Sequence, residues 1–256
     1  MTPATYDYGR AGIIGIGTPQ ANPTVEAEMR VLMPPAVLVA VTRLTSAADQ
    51  SLDRLRDYLA HLGRALAQFD TLRPAAYGFA CTGSSYLIDH GQERALIERL
   101  EARFGYPIIT ATDAIHAELQ RSGATRIALA SPYPPALADA AALYWRARGY
   151  DVAEVRRIET GNADTRSIYA LGSADARPIA TALAARDVDA VLLSGTGMPS
   201  LALLADPPPG APLLSSNLCL ARSLCRHLGL AEPDPIDWHP RLAAALTPSN
   251  EGHSPQ

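Results

Sequence analysis

Two stretches of this chain nearly repeat each other. "YGFACTGSS" runs from Tyr77 to Ser85, and "VLLSGTGMPS" from Val191 to Ser200. Each is an apolar run ending in a Thr-Gly corner, preceded by Cys81 in the first copy and by Gly195 in the second. A second pair echoes the first: "IIGIGTP" (Ile13–Pro19) and "RIALASP" (Arg126–Pro132) both run into a small hydroxylated residue and a proline. Pro19 and Pro132 lie 113 positions apart, Thr82 and Thr196 lie 114 apart. Two anchor pairs at nearly one offset predict two similar lobes of a little over a hundred residues related by a pseudo-two-fold. The carboxyl ends of equivalent strands then face each other across a cleft, where open α/β sheets bind ligands.

Short apolar runs alternate with longer amphipathic segments. The runs Gly12–Gly17, Ala36–Val41, Ala75–Ala80, Ile108–Ile109, Arg126–Ala130, Ala190–Leu193 and Leu213–Leu214 are rich in Ile, Val and Leu and flanked by Gly, Pro, Ser and Thr. They read as strands buried on both faces. Leu52, Leu55, Leu59, Leu62, Leu66 and Phe69 fall three and four apart, predicting one helix over Ala47–Phe69. Further helices fit Gln92–Phe104, Ala111–Ser122, Pro135–Arg148, Ala174–Arg186 and Asn217–Leu228. Strand and helix in alternation imply parallel sheet, an α/β architecture. The first lobe is expected over residues 1–110 plus about 215–245, the second over 111–214, with 246–256 a disordered tail.

Hydrophobic residues make up 48% of the 256 and charged ones 19%, enough for a sizeable core, and the net charge is −4. The 22 basic residues, all of them arginine, are scattered, so no basic patch could neutralise a phosphate backbone, which argues against nucleic acid. Arg54, Arg56, Arg64 and Arg73 sit singly along or near one helical stretch and read as a solvated face. "MTPATYDYGRAG" lacks the basic start and apolar core of a signal peptide, and no apolar run reaches the roughly 18 residues that span a bilayer. Three cysteines without a secretory signal predict a reduced, cytoplasmic protein with no disulfide framework.

Cys81 ends an apolar run and precedes Thr82, Gly83, Ser84 and Ser85, the start of a helix. A thiol there meets unpaired N–H groups and the positive end of the helix dipole, both of which favour thiolate. A buried cysteine that merely packs is the plainer alternative. The hydroxyls and glycine-exposed amides of Thr82, Gly83, Ser84, Thr196 and Gly197 can hold a carboxylate or a developing oxyanion, although the same residues serve turns and caps. "GTPQAN" places Pro19 and Asn22 at another strand end, and "SPYPP" places the Tyr133 phenol at the equivalent corner of the second lobe. Asn162, in "ETGNAD", is first of all a turn residue. "GIGTP" is not a full G-x-G-x-x-G, no Walker loop appears, and no Cys or His pair has zinc spacing. Cys219 and Cys225 lie on a helical pattern and read as core, and none of His61, His90, His116, His227, His239 and His253 sits in a Ser–His or Cys–His signature. The expected chemistry uses no metal and no cofactor.

These residues carry a resemblance. A two-lobed α/β chain with a thiol at a Thr-Gly corner resembles the aspartate/glutamate racemase superfamily, and within it the maleate isomerase and arylmalonate decarboxylase branch. The likeness extends from "GIIGIGTPQANPTVEAE" through "ACTGSS", "RIALASPYPP" and "AVLLSGTGMPSL" to "PLLSSNLCLA". It implies two Rossmann-like lobes with the active site between them, a homodimer, and a small mono- or dicarboxylate substrate. By resemblance to maleate isomerases Cys81 would be the nucleophile, with Asn22, Tyr133 and Asn162 binding carboxylates. By resemblance to the decarboxylases Thr82, Tyr133, Thr196 and Gly197 would be oxyanion donors. The chain departs from maleate isomerases at Gly195, where they carry a second cysteine. It also reverses the decarboxylase arrangement, in which the single cysteine lies in the second half and glycine in the first.

With glycine at 195 one face of a planar intermediate has no acid or base, so two-base racemisation is disfavoured. One thiolate suffices to add to C2 of a cis-enedioate such as maleate, allow rotation, and leave. One thiol likewise suffices to protonate the enediolate left by a malonate after loss of CO₂. Maleate-type isomerisation is the leading expectation and decarboxylation the alternative, with a non-catalytic carboxylate-binding protein a third.

Overall fold

A computed structural model describes residues 7–247. Its strands are β1 (Gly12–Pro19), β2 (Val37–Leu44), β3 (Ala76–Phe79), β4 (Ile108–Thr110), β5 (Arg126–Ser131), β6 (Asp151–Arg157), β7 (Ala190–Leu193) and β8 (Leu213–Ser215). They form two parallel four-stranded sheets, ordered β2-β1-β3-β4 and β6-β5-β7-β8. The two orders are the same when each sheet is counted from its own first strand, as a duplicated unit requires. Inner strands are apolar on both faces because helices cover both: Ile14, Ile16, Tyr77 and Phe79 in one sheet and Ile127, Leu129, Val191 and Leu192 in the other are fully buried.

The helices are α1 (Thr24–Leu32), α2 (Ser51–Ala60), α3 (Leu62–Ala67), α4 (Thr82–Ser85), α5 (His90–Phe104), α6 (Ala111–Ser122), α7 (Pro135–Ala147), α8 (Ser173–Ala184), α9 (Leu201–Ala205), α10 (Ser216–His227) and α11 (Pro235–Leu246). Thr110 at the end of β4 caps α6 by accepting from Asp113 N at 3.0 Å, and Ser215 at the end of β8 caps α10 by accepting from Leu218 N at 3.2 Å. These equivalent helices pack on each other between the lobes. Among the described residues no helix is long and apolar enough to cross a membrane.

Several expectations are corrected. The helix over 47–69 is two: α2 and α3 break at His61, whose φ of −101° and ψ of 13° leave the helical region. Arg54 is no part of a solvated face; it is 3% exposed and ion-paired to Asp164 of the second lobe. β6 escaped notice because "DVAEVRR" is an edge strand, with only Val152 buried. α1 and α11 were also unforeseen, the latter carrying Pro240 inside it. Leu246 ends α11 rather than opening a tail, and 248–256 lie outside the described residues.

Glu93, in the first turn of α5, is 1% exposed, and its Oε1 has no partner. Burial pushes this carboxyl up from its ordinary 4.5 to about 7. A raised folded-state value means that stability present at low pH is lost as the pH rises through about 7. Glu93→Gln is therefore expected to flatten the pH dependence of urea unfolding between about pH 4.5 and 7 and to gain about 2 kcal/mol above that window.

Candidate active site

The four strand ends singled out in the sequence converge. Pro19 at the end of β1 and Asn22 beyond it, Cys81 after β3, Tyr133 after β5, and Gly195, Thr196 and Gly197 after β7 line one small cavity of about 20 Å³. Leu55 of α2 and Thr165, Ile168 and Tyr169 complete its wall.

Cys81 stands where β3 passes into α4 and is 3% exposed. Its Sγ lies 3.1 Å from Ser84 Oγ, while the Ser84 hydroxyl donates to the Leu55 carbonyl oxygen at 2.6 Å. Ser84 has one hydroxyl hydrogen, and Leu55 O takes it, so the thiol must be the donor to Ser84 Oγ. This geometry holds Cys81 as neutral S–H, contrary to the thiolate expected of a helix start. Burial pushes the thiol up, and the Ser84 hydroxyl and the Gly83 and Ser84 backbone amides only partly offset it. Burial is the main cause, and α4, a single turn of four residues, is too short for a sizeable dipole to oppose it. A thiolate would be held if Ser84 turned its O–H from Leu55 O to Sγ. Ser84→Ala is thus expected to move Cys81 alkylation to higher pH and slow it about fivefold at neutral pH, while Ser84→Thr preserves the profile. Iodoacetamide rates against pH, read on the Cys81 peptide, check this.

Asn22 is 1% exposed in the turn that its backbone N–H closes onto Pro19 O at 2.9 Å. Its Oδ1 accepts from Thr24 N at 2.9 Å, which identifies Nδ2 as the free end of the amide; that nitrogen is buried without a partner. Tyr133 OH meets Thr82 Oγ1 at 2.7 Å. Burial holds the phenol well above its ordinary 10.0, with Tyr86 and Cys81 adding to the effect, so it stays protonated and able to donate. The Thr196 hydroxyl is not free: it donates to Ala80 O across the lobes at 2.9 Å. Gly195 N donates to Ser216 Oγ at 3.2 Å. That leaves the Thr196 and Gly197 N–H groups unengaged among the described residues.

Gly195 has φ of +124°, a backbone that side-chain-bearing residues rarely adopt. A Cβ there would sit 3.2 Å from Pro132 Cγ and 3.4 Å from Tyr133 OH. The corner is built for glycine, not merely short of a thiol. Thr82, Gly83 and Ser84 stand behind the wall: Thr82 supports Tyr133, Gly83 packs against Leu55 and Leu137, and Ser84 supports Cys81.

Asn162 does not join them. It is exposed, its Oδ1 accepting Asp164 N at 2.8 Å in a local turn beside Gly161, whose φ is +81°. The segment that does reach the cavity follows it, the 3-10 turn Thr165–Ala170. This cover is fastened to the first lobe: Arg54 Nη2 donates to Asp164 Oδ1 at 2.5 Å, and Thr165 N donates to Ser51 Oγ at 3.2 Å. Hydrogen bonds from the Arg166 side chain, with help from Arg54, lower the Asp164 carboxyl to about 2. Leu55, Thr165, Ile168 and Tyr169 were missed in the sequence. Leu55 was fully explained as part of a helical stripe, and the cover offers no local signal.

A family model described as arylmalonate decarboxylase matches residues 14–234. A maleate isomerase of Nocardia farcinica is 27% identical over 228 residues, covering 85% of this chain and 90% of that protein. Among solved structures, a cysteine-to-serine variant of the Nocardia farcinica maleate cis-trans isomerase, with a covalently bound succinylcysteine intermediate, is 26% identical at a TM-score of 0.71, over 86% of this chain and 93% of that one. A liganded double variant of arylmalonate decarboxylase, with one glycine changed to cysteine and one cysteine to serine, shares the fold. It has 19% identity and a TM-score of 0.72, over 85% of this chain and 92% of that one.

Proposed function

The chain belongs to the arylmalonate decarboxylase family, and on that premise we propose that Cys81 is the reacting group of an enzyme acting on small dicarboxylates. The reading favoured is cis–trans isomerisation of a maleate-type substrate. One observation carries it: a thiol and an unpaired buried amide donor, Cys81 Sγ and Asn22 Nδ2, belong to residues lining the same small cavity. In this reading the thiol passes its proton to a carboxylate of the entering substrate, to be returned to sulfur when the product leaves, and Ser84 turns its hydroxyl onto the sulfur. The thiolate adds to C2, the π pair moves onto the far carboxylate as an enediolate, and C2–C3 becomes a single bond. Rotation follows, the electrons return, and the C–S bond breaks to release the trans isomer. Asn22 Nδ2, Tyr133 OH and the Thr196 and Gly197 N–H groups are proposed to hold the carboxylate and enediolate oxygens. No acid on the second face is needed, because the intermediate rotates without being protonated. Covalent addition by a cysteine is supported by the succinylcysteine that the Nocardia farcinica cysteine-to-serine variant carries.

Decarboxylation of a substituted malonate is the second reading, favoured by the neutral S–H. There the C–CO₂ bond breaks, its electrons form an enediolate, and Cys81 delivers its proton to one face, predicting a single enantiomer. Either substrate needs more room than about 20 Å³, so the cover Thr165–Ala170 must part to admit it. Proton NMR in D₂O with maleate and with phenylmalonate tests both. Fumarate supports the first reading and deuterated phenylacetate the second; neither product would leave a carboxylate binder. We place the protein within the wider aspartate/glutamate racemase superfamily and in the cytoplasm. The second placement is supported by three cysteines that are all free thiols.

A further inference from the structure

We propose that an apolar groove next to the thiol cavity is a substituent subsite, and that the physiological substrate is a dicarboxylate carrying an aliphatic arm. This rests on the reading of Cys81 given above. The groove measures about 310 Å³ and is walled by Ala27 and Val31 of α1, Leu201 and Ala202 of α9, and Leu242 and Ala245 of α11. Its side chains are methyl-rich, without a free charge: Glu28 also lines it, but its carboxylate is held by Ser200 N, Ser200 Oγ, Leu201 N and Asn217 Nδ2. Such a wall selects for alkyl carbon rather than for a second polar head.

What joins the groove to the chemistry is Tyr169, which lines both the cavity and the groove. One edge of its ring, Cδ1 and Cε1, lies against Gly197, where a Cβ would stand 2.6 Å from Cε1; the absence of a side chain at 197 is what lets the ring close the gap. The phenol makes no hydrogen bond among the described residues, so packing alone keeps it there. Tyr169 also belongs to the cover that must part before any dicarboxylate enters. When it swings off Gly197, the cavity and the groove become one space. The headgroup end then holds Asn22 and Cys81, and the other end takes apolar bulk.

The test uses the full chain and ligands that cannot react. Cys81 is alkylated with iodoacetamide in the presence of graded succinate or 2-butylsuccinate. The butyl compound is expected to protect at about tenfold lower concentration. Ala202→Phe, which fills the groove from its rim, is expected to abolish that advantage. Ala27→Phe, on the exposed side of α1, repeats the test should Ala202→Phe fail to fold. Equal protection by the two succinates in the wild type, or a butyl advantage that survives both fillings, overturns the proposal. Turnover of maleate or phenylmalonate without a butyl advantage would sink the groove and spare the enzyme reading. A butyl advantage without turnover would sink the enzyme reading and support the groove as a ligand subsite.

Discussion

In Cys81→Ala, turnover of maleate or phenylmalonate is expected to fall at least about a thousandfold, with thermal unfolding little changed. Both readings put bond making or proton delivery on this one sulfur, and no other acid or base among the described residues lines the cavity except Tyr133 and Tyr169, whose phenols burial holds protonated. Removing Sγ deletes the reacting atom, while the fold loses only a small side chain whose polar contacts are confined to Ser84 and the neighbouring Gly83 amide. Cys219 and Cys225 are the built-in controls. Both are buried in α10, and Cys219→Ala and Cys225→Ala are expected to cost stability but to leave the rate per folded molecule as it was. Equal losses in all three variants, tracking unfolding, would mean that Cys81 is another packing residue.

Glu28→Ala should produce the largest loss of stability, about 3–5 kcal/mol. Glu28 belongs to α1 of the first lobe, is 5% exposed, and accepts from Ser200 N at 2.5 Å, Leu201 N at 3.1 Å and Asn217 Nδ2 at 2.7 Å. Burial raises this carboxyl, and its donors oppose the shift. Truncation leaves those donors buried without an acceptor, which costs more than the hydrogen bonds themselves contributed. Activity should suffer as well, because the Asn217 amide that meets Glu28 also donates to Thr196 O at 3.1 Å and so holds the backbone of the cavity wall. Glu28→Gln, which keeps one oxygen for the two backbone donors, is expected to lose less than half as much. Differential scanning calorimetry with kcat/KM on the folded fraction checks both. At about 2–4 °C per kcal/mol for a chain of this size, the alanine variant should melt some 6–20 °C lower.

The strand ends were legible because a parallel strand buried on both faces has to be an unbroken apolar run, and its end is marked by glycine, proline or a hydroxyl. Sequence alone therefore places Cys81, Asn22, Tyr133 and Gly195 at one end of two sheets. Asn162 could not be placed, because a Gly-Asn turn aims its amide according to the backbone around it, and here that aim is outward. The cover was illegible for a different reason. Its position depends on Arg54 pairing with Asp164, residues 110 apart, and nothing in either local sequence announces the pair. The protonation of Cys81 likewise depended on a carbonyl in α2 that claims the Ser84 hydrogen. Gly195 was read as an absent thiol, and only the φ of +124° shows that the corner's backbone itself favours glycine.

The most direct measurement is the alkylation rate of each of the three cysteines, followed by peptide mass spectrometry with and without maleate or phenylmalonate. Cys81 should react fastest as the cover opens, and either dicarboxylate should protect it while Cys219 and Cys225 label slowly and indifferently. If Cys81 labels no faster than the two α10 cysteines, and neither dicarboxylate changes its rate, then the sulfur does not face a carboxylate site.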